Sequence, residues 1–333
     1  MLSERLLIRK GMGVVKDKNL RISKKTMLII GAVLLFLIVG SQIPNYLTVR
    51  NIFNVIRQSS IVSLVSYGMT MVIIVKGIDL SVGGIIACCA MISGLMMKGG
   101  CPIWLSIAAG LLAGALMGWF NGVMVEKLEV PAFITTLVVG QVASGIALML
   151  NGGGSLGGFP KEYVNIGNGT LLGMPISNYI TFIFCIVSAL IMGRTRLGTY
   201  IYALGGNDMV VKQQGISTAK INYFVFAFSG FCAAVAGILL SAQMNTVHPT
   251  QGGTYQLDAV AACVIGGVNM AGGEGKVYLS LVGALLIGFL RNGLNLYGLH
   301  PFYQNLVIGF IIIVIVAVSI YSRNRKIEAA KVF

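Results

Sequence analysis

Two aspartates stand at the start of apolar stretches, where an ionisable side chain needs a specific purpose. Asp79 lies in the run Gly77-Ile-Asp-Leu-Ser-Val-Gly-Gly84, and Asp258 lies in Tyr255-Gln-Leu-Asp-Ala259. Such a carboxylate, or the Ser81 hydroxyl, can accept hydrogen bonds from the backbone N–H groups that begin a helix. The alternative is a place in a transport pathway, because ionisable groups in membrane segments often contact substrate or carry protons. We interpret Asp79, Ser81 and Asp258 as helix caps and keep the pathway as the alternative.

Five further polar residues lie within or beside apolar stretches and are candidates for a polar translocation path. They are Asn121, Gln141, Arg291, Asn292 and Asn295. A charge or an amide in a membrane helix usually faces the bundle interior or a water-filled cavity. Asn121 and Asn292 have an alternative role of equal weight, because an amide can also form hydrogen bonds between helices.

Signatures of catalysis, nucleotide binding and metal binding are weak. The run Gly152-Gly-Gly-Ser-Leu-Gly157 matches G-x-G-x-x-G, but no β-α-β context surrounds it. Gly275-Lys276 is followed by valine, which excludes a P-loop. The two histidines are far apart in the sequence and lack the spacing of metal ligands. We therefore expect no enzyme activity, cofactor or metal site in this chain.

Composition indicates a membrane protein with many spans. Hydrophobic residues make up 56% of the 333 positions and charged residues 10%, and the mean hydropathy is +0.87. The net charge of +14 does not indicate nucleic acid, because eight basic residues lie in residues 1–26 and four in residues 322–333. We expect basic cytoplasmic tails at 1–26 and 322–333 and a transmembrane domain over 27–321.

Ten apolar segments divide this domain. They run approximately over residues 27–43, 58–76, 84–98, 103–125, 131–150, 178–193, 221–243, 257–270, 277–297 and 302–321. With both termini in the cytoplasm, 19 of the 24 basic residues lie on the inner side, as the positive-inside rule favours. The loop 194–220 is then cytoplasmic, and the loop 151–178, rich in Gly and Asn, is external. We predict an all-α polytopic membrane protein with about ten spans, or eight or twelve if short segments merge or split.

A weak internal repeat divides the domain into two halves. Small residues recur every four positions in the fourth segment and again in the ninth. They are Gly110, Gly114, Gly118 and Gly122 in the first copy and Ser280, Ala284 and Gly288 in the second. Small residues at this spacing form a face on which helices pack closely. The two copies would be inverted relative to each other, which is a recurrent construction in transporters.

The loop 194–220 contains a short segment with the features of a capped helix. Gly205 and Gly206 are expected to break the chain. Asn207 or Asp208 can cap a helix of about two turns, and Gly215 can end it in the left-handed conformation. Such a helix suits a groove on a soluble partner, with an ordinary interhelical loop as the alternative.

Val210 and Val211 are the apolar residues of interest on this otherwise polar helix. Exposed valines would bring no benefit, so we expect a partner groove to cover at least one of them.

Three ordered blocks of the sequence carry a resemblance to a known family. They are Lys76 to Gly83, the stretch from Gly205-Gly-Asn207 to Gly215-Ile216, and the run from Leu257 through Gly272-Gly273 and Asn292-Gly-Leu-Asn295 to Pro301-Phe302. Through these blocks the chain resembles the membrane subunits of bacterial ATP-binding-cassette importers for monosaccharides, the ribose, xylose and autoinducer-2 permease family, over most of residues 45–321.

This resemblance implies a permease of the bacterial inner membrane, homodimeric or paired with a second permease. It also implies a sugar-binding protein outside and a cytoplasmic ATPase that binds and hydrolyses ATP. The residues expected to engage the ATPase are Gly205, Gly206, Asn207, Asp208, Val210, Val211, Lys212, Gly215 and Ile216. The alternative function is a self-sufficient transporter coupled to protons or ions through Asp79 or Asp258.

Overall fold

The computed structural model describes Gly40, Pro44 and residues 46–300, 302–311, 313, 314 and 317. These residues form mostly α-helices, with two short antiparallel ribbons in which β1 pairs with β4 and β2 with β3. The helices are α1 (Val49–Ile74), α2 (Val82–Lys98), α3 (Ile103–Lys127), α4 (Ala132–Leu150), α5 (Lys161–Asn168), α6 (Ile176–Arg194), α7 (Arg196–Gly206), α8 (Asp208–Gln213), α9 (Thr218–Met244), α10 (Tyr255–Ile265), α11 (Val277–Leu296) and α12 (Phe302–Ile311). The strands are β1 (Leu156–Gly157), β2 (Thr170–Leu171), β3 (Met174–Pro175) and β4 (Thr246–Val247).

Local sequence sets most of the helix starts. The helices α3, α4, α5 and α6 begin directly after a proline, whose fixed φ and missing N–H suit the start of a helix. Four others begin after a residue whose side chain accepts a backbone N–H two or three positions further on. These caps are Thr48 for α1, Thr195 for α7, Asn207 for α8 and Ser217 for α9.

The predicted apolar segments correspond well to these helices. Eight of the ten coincide with described helices, the last, 302–321, does so over Phe302–Ile311, and the first, 27–43, lies outside the described residues except for Gly40. By length and composition, α3, α4, α6, α9 and α11 are able to cross a membrane, and α2, α10 and α12 are shorter apolar helices. α10 ends earlier than predicted because Gly267, at φ +81°, turns the chain and Val268 N donates to Cys263 O at 3.0 Å.

α1 is a central helix of the bundle. Every residue from Ser59 to Ile74 is buried, and α1 packs against α9, α10 and α11. α9 in turn packs against α1, α2 and α3, while α2 lies on α3 as α10 lies on α11. The groups α1–α3 and α9–α11 therefore make matching contacts. In each group the second helix packs on the third, and the first helix packs on all three helices of the other group.

The predicted small-residue faces are confirmed as packing surfaces. All four glycines of the α3 face are buried. A Cβ on Gly114 would lie 2.6 Å from Ala234 Cβ and 2.7 Å from Gly230 O, both on α9. On α11, a Cβ at Gly288 would overlap the Ser59 hydroxyl of α1. Larger side chains would separate these helices.

Contacts between connecting segments define two ends of the bundle. At one end, named the α8 end, Gly205 approaches the last residue of α1, and Glu126 of α3 accepts a hydrogen bond from Asn222 of α9 at 2.5 Å. At the other, named the ribbon end, β1 pairs with β4. The loop 151–178 lies at the ribbon end and is ordered, because Tyr163 of α5 donates to Ile238 O of α9 at 3.0 Å.

Candidate coupling helix and polar clusters

The start of α8 follows the predicted cap but not the predicted break. Asn207 Oδ1 accepts hydrogen bonds from Met209 N at 3.0 Å and from Val210 N at 3.3 Å, so the cap is confirmed. The expectation that Gly205 and Gly206 break the chain is wrong, since α7 continues through both and the turn occurs at Asn207. Gly205 is instead required for close packing, because a Cβ there would overlap a carbonyl oxygen of α1.

The end of α8 is closed by a pair of hydrogen bonds around Gly215. This glycine has φ +69°, as predicted, and its N–H donates to Lys212 O at 3.0 Å. Ile216 N donates to Val211 O at 3.3 Å, which completes a Schellman motif. The Val211 side chain lies in the main hydrophobic core, and Ile216 packs against the same core. α8 is thus fastened to the bundle through its C-terminal half.

The two valines of α8 have opposite environments. Val211 is only 2% exposed and is covered by the chain's own core, so the predicted partner groove can apply only to Val210. A six-residue helix has one inner face, and the core covers Val211 on that face. Val210 is 50% exposed and Met209 is 66% exposed. Beside them, Asp208 and Lys212 form an exposed ion pair at 4.0 Å. The free surface of α8 therefore combines two apolar side chains with a pair of opposite charges.

Asp79, Ser81 and Asn121 form a fully buried polar cluster. Asp79 Oδ1 accepts hydrogen bonds from Ser81 N at 2.9 Å and from Ser81 Oγ at 2.5 Å, and Asn121 Nδ2 donates to Ser81 Oγ at 2.8 Å. Asp79 satisfies a backbone N–H, as a cap would, but from two positions before the cap residue of α2. Ser81 occupies that cap position, and its own side chain accepts no backbone N–H there. Asn121 joins α3 to the segment before α2, in agreement with its interhelical alternative.

Asp258 is paired with Arg291 and is not a helix cap. It lies in the first turn of α10, after Thr254 at the cap position. Arg291 Nη2 donates to both carboxylate oxygens of Asp258, at 2.9 and 2.8 Å, and Nη1 donates to Asn305 Oδ1 at 3.3 Å. The cap prediction for Asp258 is therefore wrong. A nearly buried carboxylate is stabilised better by a guanidinium than by the helix start, because the opposite charge compensates its lost hydration.

The other predicted pathway residues have different surroundings. Asn292 and Asn51 exchange two amide hydrogen bonds, at 2.8 and 3.1 Å, which join α11 to the start of α1. Asn295 and Gln141 are exposed on α11 and α4. The structure therefore does not gather the five predicted residues around one cavity, and it gives Asn292 an interhelical contact.

A row of buried hydroxyl groups on α1 was not anticipated from the sequence. Ser63 and Thr70 donate to backbone carbonyls four residues earlier, at 2.8 and 2.7 Å. Thr70 Oγ1 also lies 2.6 Å from Ser280 Oγ of α11. The spacing of serine and threonine four positions apart in an apolar helix could have predicted this row. These side chains can form hydrogen bonds to carbonyls of their own helix and still allow close packing.

Residues 51–316 match a family model described as the permease component of branched-chain amino acid transport systems. The chain belongs to this permease family. The match covers α8, both buried carboxylates and both small-residue faces, so these features are parts of the permease itself. Among the residues that the structure describes, no group of three or more His, Cys, Asp or Glu side chains could hold a metal ion.

Curated relatives of the permease are sugar transport proteins by name. The ribose import permease protein of Haemophilus influenzae is 40% identical over 302 residues, which cover 90% of this chain and 94% of the relative. The ribose import permease protein of Bacillus subtilis is 35% identical over 290 residues, 86% of this chain and 90% of the relative. The L-arabinose transport system permease protein of Escherichia coli is 31% identical over 300 residues, 90% of this chain and 91% of the relative. No solved structure gives a significant match.

Proposed function

We propose that this chain is the membrane subunit of an ATP-binding-cassette importer that carries a small, ribose-like monosaccharide across the bacterial inner membrane. ATP binds to a separate ATPase subunit in this proposal. The names of the relatives favour a sugar. The structural observation that carries the proposal is α8, a short helix whose inner face is fixed to the core and whose outer face is apolar and exposed.

The outer face of α8 is the surface we assign to the ATPase. Met209 and Val210 are exposed side by side, as the apolar centre of an interface would be, and the flanking Asp208 and Lys212 provide a polar rim. A partner that holds these side chains can move α8, and the Val211 anchor passes that movement to the bundle. Alternating access then follows if the ATPase binds one conformation of the permease more tightly than the other.

We assign the α8 end to the cytoplasm and the ribbon end to the outside, with both termini in the cytoplasm. Lys212 and Lys276 lie in segments assigned to the α8 end, where the positive-inside rule favours basic residues. The loop 151–178 at the ribbon end is then the surface for an extracytoplasmic sugar-binding protein. The chain would work as a homodimer or beside a second permease subunit.

About ten spans in two inverted halves are the architecture we propose. The matching contacts of α1–α3 and α9–α11 support related halves.

The ion-coupled alternative finds less support. A carboxylate that relays protons must take up and release a proton, whereas Asp258 is held by both oxygens to Arg291. Asp79 uses Oδ1 to organise the start of α2, while its buried Oδ2 has no hydrogen-bond partner among the described residues. Asp258 therefore has structural partners at both oxygens and Asp79 at one.

Reconstitution tests the proposed function. Proteoliposomes would contain the permease alone or with its cognate ATPase, with the sugar-binding protein added outside, and uptake of labelled ribose, allose and arabinose would be measured. We expect uptake only when ATP, the ATPase and the binding protein are all present. Uptake by the permease alone, driven by a proton or sodium gradient, would establish the ion-coupled alternative instead.

A further inference from the structure

Gly205 lies where three backbone segments meet at the α8 end. A Cβ on Gly205 would overlap the carbonyl oxygen of Ile74, the last residue of α1, and would lie 2.5 Å from Gly273 N. The same Ile74 oxygen accepts a hydrogen bond from Gly273 N at 2.9 Å. α7, α1 and the loop between α10 and α11 are therefore in direct backbone contact, which a side chain at position 205 would prevent.

α7 and α8 are closely connected to this backbone contact and to each other. Only Asn207 separates the two helices, and Val211 of α8 lies in the same hydrophobic core as Leu204 of α7. Tyr202 of α7 donates its hydroxyl to Gly275 O at 2.7 Å. Tyrosine is protonated at neutral pH, and burial raises the pKa of Tyr202 further, so this hydroxyl keeps donating. A displacement of α8 should therefore carry α7 with it.

The contact at Ile74 lies at the start of a non-helical segment, residues 75–81, that connects α1 to α2. Lys76 has φ +68°, a conformation that costs energy for a residue with a Cβ. Further along the segment, Leu80 N donates to Thr136 Oγ1 of α4 at 3.0 Å, and Ser81 accepts from Asn121 of α3 at 2.8 Å. The segment therefore joins the end of α1 to α2, α3 and α4.

We propose that Gly205 is a positioning residue for transport, which transmits the displacement of α8 through Ile74 to the segment 75–81. The inference rests on the proposed function, because it takes the ATPase to be what moves α8. Backbones in direct contact pass on a small displacement that mobile side chains would absorb, since closely packed groups shift together. The segment then moves the ends of the helices that surround the membrane interior.

Gly193 of α6 provides a matched control, because a Cβ at this position meets nothing within 4 Å and the residue is not among those assigned to the ATPase. Gly205→Ala and Gly193→Ala would each be reconstituted with the ATPase and the sugar-binding protein, and sugar uptake and ATP hydrolysis would be measured together. We expect Gly205→Ala to lower the amount of sugar imported per ATP about tenfold, a typical size for coupling between two sites. ATP hydrolysis and co-purification of the ATPase should persist, and Gly193→Ala should keep the wild-type ratio. An unchanged ratio in Gly205→Ala would overturn the proposal.

A second measurement tests the proposal if Gly205→Ala does not assemble. Spin labels would be placed on Gln213 with Lys76, and on Gln213 with Lys161 at the ribbon end, in the otherwise native complex with Cys101 replaced by serine. Gln213 is exposed on α8 and is not among the residues assigned to the ATPase. We expect ATP binding to change the Gln213–Lys161 distance and to leave the Gln213–Lys76 distance constant, because α8 and the segment 75–81 move together. An equal change in both distances, or no change in either, would contradict the proposal.

The two levels of inference fail differently. If the wild-type complex imports no sugar with ATP, the proposed function is wrong. If the wild type is active and Gly205→Ala keeps the same ratio of sugar to ATP, only the role of Gly205 is wrong.

Discussion

Asp258 and Arg291 are separated by 33 positions in the sequence, yet they form the ion pair that joins α10 to α11. Asn51 and Asn292 are 241 positions apart and exchange both of their amide hydrogen bonds. Both pairs join neighbouring helices. At the residue scale, these polar side chains therefore hold helices together.

The role of Asp79 can be tested with two substitutions. Asp79→Asn keeps an oxygen that can accept from Ser81 N and Ser81 Oγ, whereas Asp79→Leu leaves both buried donors without a partner. We expect Asp79→Leu to lower the free energy of unfolding by on the order of 2 kcal/mol more than Asp79→Asn does. Thermal unfolding in detergent and sugar uptake would be measured for both. Equal loss of uptake in two folded variants would indicate a proton relay.

At the element scale, α8 is a short helix with two different faces. Its capping hydrogen bonds define a helix of six residues, and packing then divides that helix into a buried and an exposed face. The small-residue face of α3 is different, because it serves a single purpose, which is close approach to α9.

The same substitution at neighbouring positions of α8 should give two different failures. Val210→Glu places a carboxylate on the exposed face, so we expect normal expression but loss of ATP-dependent uptake and of ATPase co-purification. Val211→Glu places the carboxylate in the hydrophobic core, so we expect low yield and a lower melting temperature. Expression, melting temperature and pull-down of the ATPase would be compared. Normal uptake by Val210→Glu would exclude α8 as the coupling site.

The α3 face can be tested by adding bulk. In the double variant Gly114→Leu with Gly118→Leu, the new side chains would meet α9 at Gly230, Ala234 and Phe226. We expect a loss of a few kcal/mol of stability, roughly the cost of overpacking a tight interface. Gly145→Leu on α4 is the control, since a Cβ there meets nothing within 4 Å. Equal thermal stability of the double variant and the control would argue against a packed glycine face.

At the scale of the whole molecule, two sets of connecting segments lie at opposite ends of the bundle. The α8 end contains segments in which the sequence places basic residues, and the ribbon end contains the ordered loop 151–178. This separation is what the proposed orientation requires, with basic segments on the cytoplasmic side.

Orientation is tested by reporter fusions at Phe333. We expect a reporter that is active only in the cytoplasm to be active at this position, and a periplasm-active reporter to be silent. Fusions within the loop 151–178 should give the opposite result. Periplasmic activity at Phe333 would overturn the even span count.

The sequence by itself determined the apolar segments, the proline and side-chain helix starts, the caps of α8 and the small-residue faces. These features depend on residues at most a few positions apart, where helical spacing and capping hydrogen bonds act. Only the tertiary structure decided that Val211 is buried, that Gly205 is needed for backbone contact with Ile74 and that Asp258 binds Arg291. Each of these depends on residues brought together from distant positions, and the burial that fixes their roles arises only when the helices pack.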